Sequence, residues 1–152
     1  MEKIALGLKL HNPFNIRKGS NWIGLAHHQF PSSFCDFTHE LYATRAFLII
    51  LRTYVLKHHV KTVRQFVNRY APAGDGANNP DVYCAHILNC WRAVDFDVAD
   101  RSDVFDKSWF KLNIEEWSDK ALFLYAFVAA VARMETGYKL TANMFNDAYK
   151  MI

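Results

Sequence analysis

A glutamate near the end of the chain, Glu135, follows a long apolar stretch. Every residue from Ala121 to Ala132 is apolar or aromatic, and Gly137, a residue type that often ends helices, comes two positions after Glu135. The pattern predicts that Glu135 lies at the end of a buried helix. Burial and the negative end of the helix dipole both disfavour a charged carboxylate there, which suits a general acid. A solvated glutamate in an ordinary last helical turn gives the same pattern.

Two other segments combine amide and aromatic side chains. Residues 70–83 place glycine, asparagine and aspartate between two tyrosines, and the N-terminal region contains Asn12, Asn15 and Trp22. Carbohydrate sites need this mixture, because sugar rings present apolar faces and hydroxyl edges. Each segment also has a structural interpretation: Asn79 caps the next helix in an ordinary connection, and Trp22 fills the core.

The histidines and cysteines do not form a recognisable metal or nucleophile motif. Neighbouring histidines, as in His27-His28 and His58-His59, point in different directions on a helix, and no HExxH motif or Cys/His spacing accompanies them. The three cysteines have no metal-ligand spacing and leave at least one thiol unpaired (Cys35, Cys84 and Cys90). We therefore predict reduced cysteines, no metal site and no cofactor.

The positions of the helices follow from apolar spacing and from capping residues. Residues 1–36 are irregular, with repeated glycine and proline. Helices are predicted from Glu40 to about His58, over 62–70 and from Pro80 to about Ala93. A short helix is predicted near 102–110. A long helix is predicted to follow Ser118 and end at Glu135, and a last one to run from Thr141 to about Lys150. Asn79, Ser118 and Thr141 are the expected caps of three of them. No strand alternation is apparent, so the expected class is all-α.

Length and composition indicate one globular domain. The 152 residues are 51% hydrophobic and 22% charged, which excludes a disordered chain and suits a single core. The formal charge of +3 is only mildly basic, and no dense lysine and arginine run occurs, so nucleic acid is not an expected partner. The apolar stretch before Glu135 is shorter than the ~20 residues that span a bilayer, so no membrane association is expected. The N-terminus lacks a signal peptide pattern, which predicts synthesis in the cytoplasm.

Several short motifs, taken together, resemble a group of small phage and prophage proteins. That group opens with NPGNIR, continues with WxG, FxxF and GxRA, has an asparagine-rich loop after Tyr/Trp-Ala-Pro, and ends with ENG. The matching segments of this chain are Asn12-Pro13-Phe14-Asn15-Ile16-Arg17, Trp22-x-Gly24, Phe34-Cys35-Asp36-Phe37, Arg45-Ala46, the loop 70–83 and Glu135-Thr136-Gly137. Two positions depart from the pattern, since Ala43 replaces a glycine and Thr136 replaces Ser or Asn.

A second resemblance is to bacterial glucosaminidases of the lysozyme superfamily. Those enzymes carry a catalytic glutamate at a helix end, followed by an NNxFGIK segment, a Trp-Gly step and a YATDxxY loop. This chain has similar elements in the same cyclic order, with the glutamate helix moved to the end. The resemblance implies a circularly permuted lysozyme-like fold over 1–152, with residues 1–36 contributing to a groove. Such permutation is admissible where chain termini lie close together.

The resemblance implies a peptidoglycan-cleaving glycosidase, either a muramidase or glucosaminidase or a lytic transglycosylase. Glu135 would be the general acid, with Asp75 or Asp36 as a second carboxylate, or Glu135 would act alone to give an anhydro sugar. The expected substrate-binding side chains are amides that orient acetamido groups and rings that line the groove (Asn12, Asn15, Asn79, Trp22, Tyr70 and Tyr83).

The alternative function is a non-catalytic phage structural or wall-binding protein on the same fold. In either case the expected partners are glycan strands of peptidoglycan or other phage structural proteins. Because no signal peptide is apparent, we expect the protein to be virion-associated or to reach the cell wall through another component.

Overall fold

The computed structural model describes residues 4–74 and 78–152. Within these residues the chain forms six α-helices: α1 (Leu6–Lys9), α2 (Glu40–Lys57), α3 (Val63–Tyr70), α4 (Pro80–Arg92), α5 (Asp119–Thr136) and α6 (Ala142–Tyr149). The described residues include no strand, although two isolated antiparallel bridges join Arg17 to Phe34 and Leu25 to Phe37. The predicted all-α class is confirmed.

The predicted capping residues begin three of the helices. The Asn79 side chain accepts hydrogen bonds from the N–H groups of Asp81 and Val82 at the start of α4. The Ser118 hydroxyl accepts from the Ala121 N–H, and the Thr141 hydroxyl accepts from the Met144 N–H. These bonds satisfy N–H groups that the first helical turn leaves without partners.

Two short elements differ from the sequence prediction. The helix expected near 102–110 is only a 3₁₀ turn at Lys107–Phe110, capped by the Asp106 carboxylate. The four-residue α1 lies in the segment that was predicted to be irregular, and a second 3₁₀ turn at Ile114–Glu116 was not predicted. Turns of this length are too short to show a helical period in the sequence.

The chain divides into two compact units. The first contains Met1–Ile50 and Val131–Ile152, and the second contains Leu51–Ala130. In the first unit Phe14 and Phe47 are fully buried and stacked, with ring centroids 4.6 Å apart. This contact packs the loop of residues 11–15, hereafter the N-terminal loop, against α2. Phe37 and Phe145 are also fully buried in this unit.

Aromatic side chains build the core of the second unit. The Trp91 ring lies 4.1 Å from that of Phe123 and 5.8 Å from that of Phe127, and the Trp91 Nε1–H donates to the Phe123 carbonyl at 2.9 Å. At the surface, Arg64 bonds the carboxylates of Asp81 and Asp100, each at 2.7 Å. These ion pairs join the starts of α3 and α4 to the segment after α4.

Candidate active site

Glu135 is the penultimate residue of α5 and its side chain is half-buried. The helix ends because Gly137 adopts φ 76°, a conformation that favours glycine, and its N–H bonds the Arg133 carbonyl at 2.9 Å. The position predicted for Glu135 at a helix end is therefore confirmed.

The N-terminal loop is shaped from within by Asn12. The Asn12 side chain is fully buried; its Oδ1 accepts from the Ile16 N–H, and its Nδ2 donates to the carbonyls of Ile16 and Cys35, all at 3.0 Å. Its own carbonyl accepts from the Asn15 N–H at 3.2 Å, which closes a tight turn. In this structure Asn12 holds the loop and has no surface with which to contact a ligand.

Asn15 directs its side chain to the end of α5. Its backbone has φ 52°, a left-handed conformation that asparagine tolerates better than most residues. The Asn15 Nδ2 donates to Glu135 Oε1 at 3.0 Å and to the Glu135 carbonyl at 3.2 Å. One amide therefore satisfies a carbonyl at the helix end and also fixes the orientation of the carboxyl group.

Thr136 makes a second connection between the same loop and helix. Its buried hydroxyl lies 2.8 Å from the Pro13 carbonyl and donates to it, and the Ala132 carbonyl lies 3.2 Å away. The Asn of the phage group and the Ser of the glucosaminidases, which the two resemblances imply at this position, also supply a hydrogen-bonding side chain. Thr136 thus retains the chemistry that the loop requires, and its β-branch adds packing.

Gly7 is required by the close approach of the loop and the helix end. A Cβ at Gly7 would lie 2.5 Å from Asn15 Oδ1 and 2.6 Å from both the Asn12 carbonyl oxygen and Thr136 Cγ2. The Gly7 carbonyl itself accepts from the Asn12 N–H at 2.7 Å. The sequence does not indicate that position 7 requires glycine, because the contacts of Gly7 are with residues distant in the chain or across a turn.

Trp22 is half-buried in the same unit. Its indole Nε1–H is buried and has no hydrogen-bond partner among the described residues. Gly24, two residues later, has φ 86°, and a Cβ there would lie 2.1 Å from the Tyr42 ring. Gly24 is therefore required by the packing of residues 22–24 against Tyr42. The Trp22 indole N–H takes no part in this packing as a hydrogen-bond donor to the described residues.

The predicted binding residues of the loop 70–83 belong to the second unit, where each has a packing or capping role. Tyr70 stacks on Phe66 at 5.1 Å, and Asn79 caps α4. Tyr83 is only 3% exposed, so its ring has almost no face to offer a sugar. The candidate carboxylate Asp75 lies outside the described residues.

The N-terminal loop makes a further contact, with a carboxylate, that no sequence motif indicated. Glu40, the first residue of α2, bonds through its carboxylate to His11 Nδ1. The side chain of Glu40 is 20% exposed and that of His11 is 51% exposed. Burial raises the pKa of Tyr138, and the negative charge of Glu40 raises it further. Glutamate is common in the first turn of helices, so nothing in the sequence around Glu40 indicates its contact with His11.

Among residues 4–74 and 78–152, no group of three or more His, Cys, Asp or Glu side chains is arranged to hold a metal ion. In the same residues no helix is both long enough and apolar enough to cross a bilayer. The thiols of Cys35 and Cys84 are buried, and that of Cys90 is half-buried.

The chain is similar to a protein of a bacteriophage. It is 29% identical over 93 residues to protein P5 of Pseudoalteromonas phage PM2. The match covers 59% of this chain and 57% of that protein, so this chain accounts for little more than half the length of its relative. No family model matches the sequence.

Proposed function

We propose that this protein is a peptidoglycan-cleaving glycosidase of phage or prophage origin, with Glu135 as its general acid. The observation that carries the proposal is the half-buried Glu135 carboxyl group, held at the end of an apolar helix by the Asn15 amide at 3.0 Å. A general acid needs a fixed orientation relative to the bond that it protonates. Asn15 supplies that orientation.

The direction of the Asn15 hydrogen bond determines where an acidic proton resides. An amide N–H can only donate, so Oε1 of Glu135 is an acceptor whether or not the carboxyl group is protonated. In the protonated group the hydrogen is therefore on Oε2. This proton passes to the glycosidic oxygen as the bond to the anomeric carbon breaks and the sugar gains oxocarbenium character. Water, or a hydroxyl of the same sugar, then completes the reaction.

Two further observations support the proposal. The motifs from Asn12 to Gly137 resemble those of phage proteins and of lysozyme-superfamily glucosaminidases, which implies a circularly permuted lysozyme-like fold. The similarity to a protein of phage PM2 agrees with a phage origin. The name of that relative states no activity, so the proposed chemistry rests on the motifs and on the Glu135 geometry.

A non-catalytic phage structural or wall-binding protein is the second candidate. One contact favours it: Asn15 also bonds the Glu135 carbonyl, as a side chain that simply caps a helix would. The two candidates differ in what the carboxyl group does. A structural role needs the amide–carbonyl bond, whereas catalysis needs a protonated carboxyl group.

Cleavage of purified cell walls distinguishes the two candidates. Wild-type protein and Glu135→Gln are incubated with walls, and the released muropeptides are identified by mass spectrometry. Glu116→Gln, at an exposed position, is the matched control. The proposal predicts release by the wild type and the control, and very little by Glu135→Gln. Wall binding without release by any variant would establish the non-catalytic candidate.

A further inference from the structure

The carboxylate of Glu40 is held in place at the start of α2. Its partner is His11 Nδ1, and only 20% of the Glu40 side chain is exposed. His11 has φ 51°, so the backbone turns sharply at the residue that carries the imidazole. The contact with His11 defines the position of the Glu40 carboxylate, whereas a solvated glutamate on the surface has no fixed position.

The same short loop contacts both glutamates. His11, at one end of the loop, bonds Glu40, and Asn15, at the other end, bonds Glu135. The loop is compact: the Asn12 N–H bonds the Gly7 carbonyl at 2.7 Å, and the Asn15 N–H bonds the Asn12 carbonyl at 3.2 Å. Two carboxylates from different helices are therefore oriented by side chains only four residues apart.

A third polar side chain, that of Tyr138, is close in sequence to Glu135. It follows Glu135 by three residues and is half-buried. Burial raises the pKa of its phenol, and the negative charge of Glu40 raises it further, so Glu40 acts electrostatically on the chain segment that follows Glu135.

We propose that Glu40 is the second carboxylate of this enzyme and that it acts as the base toward water, with His11 as its positioning residue. This inference rests on the proposed function and specifies hydrolysis. Glu40 accepts a proton from water as the water oxygen bonds to the anomeric carbon. At the same time the bond from that carbon to the glycosidic oxygen breaks, and this oxygen receives the Glu135 proton. The products are two sugars, one with a new reducing end and one with a new hydroxyl.

The test compares three glutamine variants on cell walls: Glu40→Gln, Glu135→Gln and the control Glu116→Gln. Circular dichroism and urea unfolding of each variant show whether it is folded. Glu40→Gln is expected to be folded and to lose about 100-fold or more in rate, and wild-type products should carry reducing ends. An active wild type with an inactive Glu135→Gln but an unaffected Glu40→Gln would overturn the Glu40 assignment alone. Anhydro sugars as the main wild-type product would do the same. A wild type that does not cleave walls would overturn the proposed function as well.

Azide supplies a readout that a merely structural Glu40 would not change. In Glu40→Ala a small anion can enter the space of the carboxylate and attack the anomeric carbon while Glu135 protonates the leaving oxygen. Sodium azide should partly restore the rate of Glu40→Ala and give a glycosyl azide that mass spectrometry detects, whereas Glu135→Ala should give none. If folded Glu40→Ala gives neither the azide product nor a rate increase, while the wild type cleaves walls, the assignment is contradicted.

His11→Asn tests the positioning role, because asparagine tolerates the left-handed backbone at this position. The expected change is a lower kcat with an unchanged KM, since the substitution displaces Glu40 without altering substrate contacts. An unchanged kcat would show that His11 does not position the base.

Discussion

Asn15 and Glu135 are joined by two hydrogen bonds from a single amide nitrogen, one to the carboxyl Oε1 at 3.0 Å and one to the backbone carbonyl at 3.2 Å. The residues are 120 positions apart in the chain. The contact therefore fixes the carboxyl group relative to its own helix end and also fastens the N-terminal loop to that helix. Substitution of Asn15 removes both hydrogen bonds.

Replacing Asn15 should reduce activity while leaving the backbone in place. Glycine readily adopts φ 52°, so Asn15→Gly removes the amide without straining the turn. With the Glu135 carboxyl group no longer oriented, we expect a rate loss of roughly 10- to 100-fold in wall cleavage. Steady-state rates on walls measure it. Wild-type activity in a folded Asn15→Gly would show that the amide is only a helix cap.

The Thr136 hydroxyl should contribute measurably to stability. Thr136→Val keeps the shape of the side chain but leaves the Pro13 carbonyl without the hydroxyl that donates to it at 2.8 Å. The expected cost is about 1–3 kcal/mol in the free energy of unfolding, determined by urea denaturation. Thr136→Ser retains the hydroxyl and is the control. Equal stability of the Val and Ser variants would mean that this hydrogen bond contributes nothing.

Gly7 should tolerate no side chain. Gly7→Ala brings a methyl group within 2.6 Å of the Asn12 carbonyl oxygen, which is backbone and cannot rotate away. We expect the loop to shift, with a loss of about 1–3 kcal/mol in stability and a lower rate of wall cleavage. Urea denaturation and activity assays on the same sample measure both effects. A fully stable and fully active Gly7→Ala would contradict the close packing described above.

The free energy of unfolding should decrease at alkaline pH. Burial raises the pKa values of two cysteine thiols and three tyrosine phenols (Cys35, Cys84, Tyr54, Tyr125 and Tyr138). The folded chain therefore keeps these protons to higher pH than the unfolded chain does. Their contribution is complete well below about pH 8.5, the ordinary pKa of an unfolded thiol, and it is lost as the pH rises through the folded pKa values.

Urea midpoints measured from pH 7 to 11 check this expectation. Tyr138→Phe removes one of the titrating groups, so this variant should lose less stability than the wild type over the upper part of the range. A midpoint that stays constant or rises with pH would be inconsistent with the burial of these groups.

The helices and their caps were predictable because the information is local. Asn79, Ser118 and Thr141 each accept from an N–H within three residues, and the apolar run before Glu135 lies within one helix. The short elements were not predictable, since α1 and the 3₁₀ turns have too few residues to show a period.

The sequence singled out Asn15 and Glu135, but it did not predict the contact between them or the role of each candidate residue. Asn12 and Asn15 looked equivalent in the sequence, yet Asn12 is fully buried and Asn15 bonds Glu135. Their difference arises from long-range packing of the loop on α5. The contact between His11 and Glu40 likewise joins residues that are distant in sequence and gives no motif.

In the proposed reaction the Glu135 carboxyl group donates the proton that breaks the glycosidic bond. The initial rate at which purified peptidoglycan gains new chain ends tests this step, with wild type, Glu135→Gln and the exposed-site control Glu116→Gln, all shown to be folded. We expect near wild-type rates for Glu116→Gln and a decrease of about 100-fold or more for Glu135→Gln. Equal rates for wild type and Glu135→Gln, or no new ends with any of the three, would contradict it.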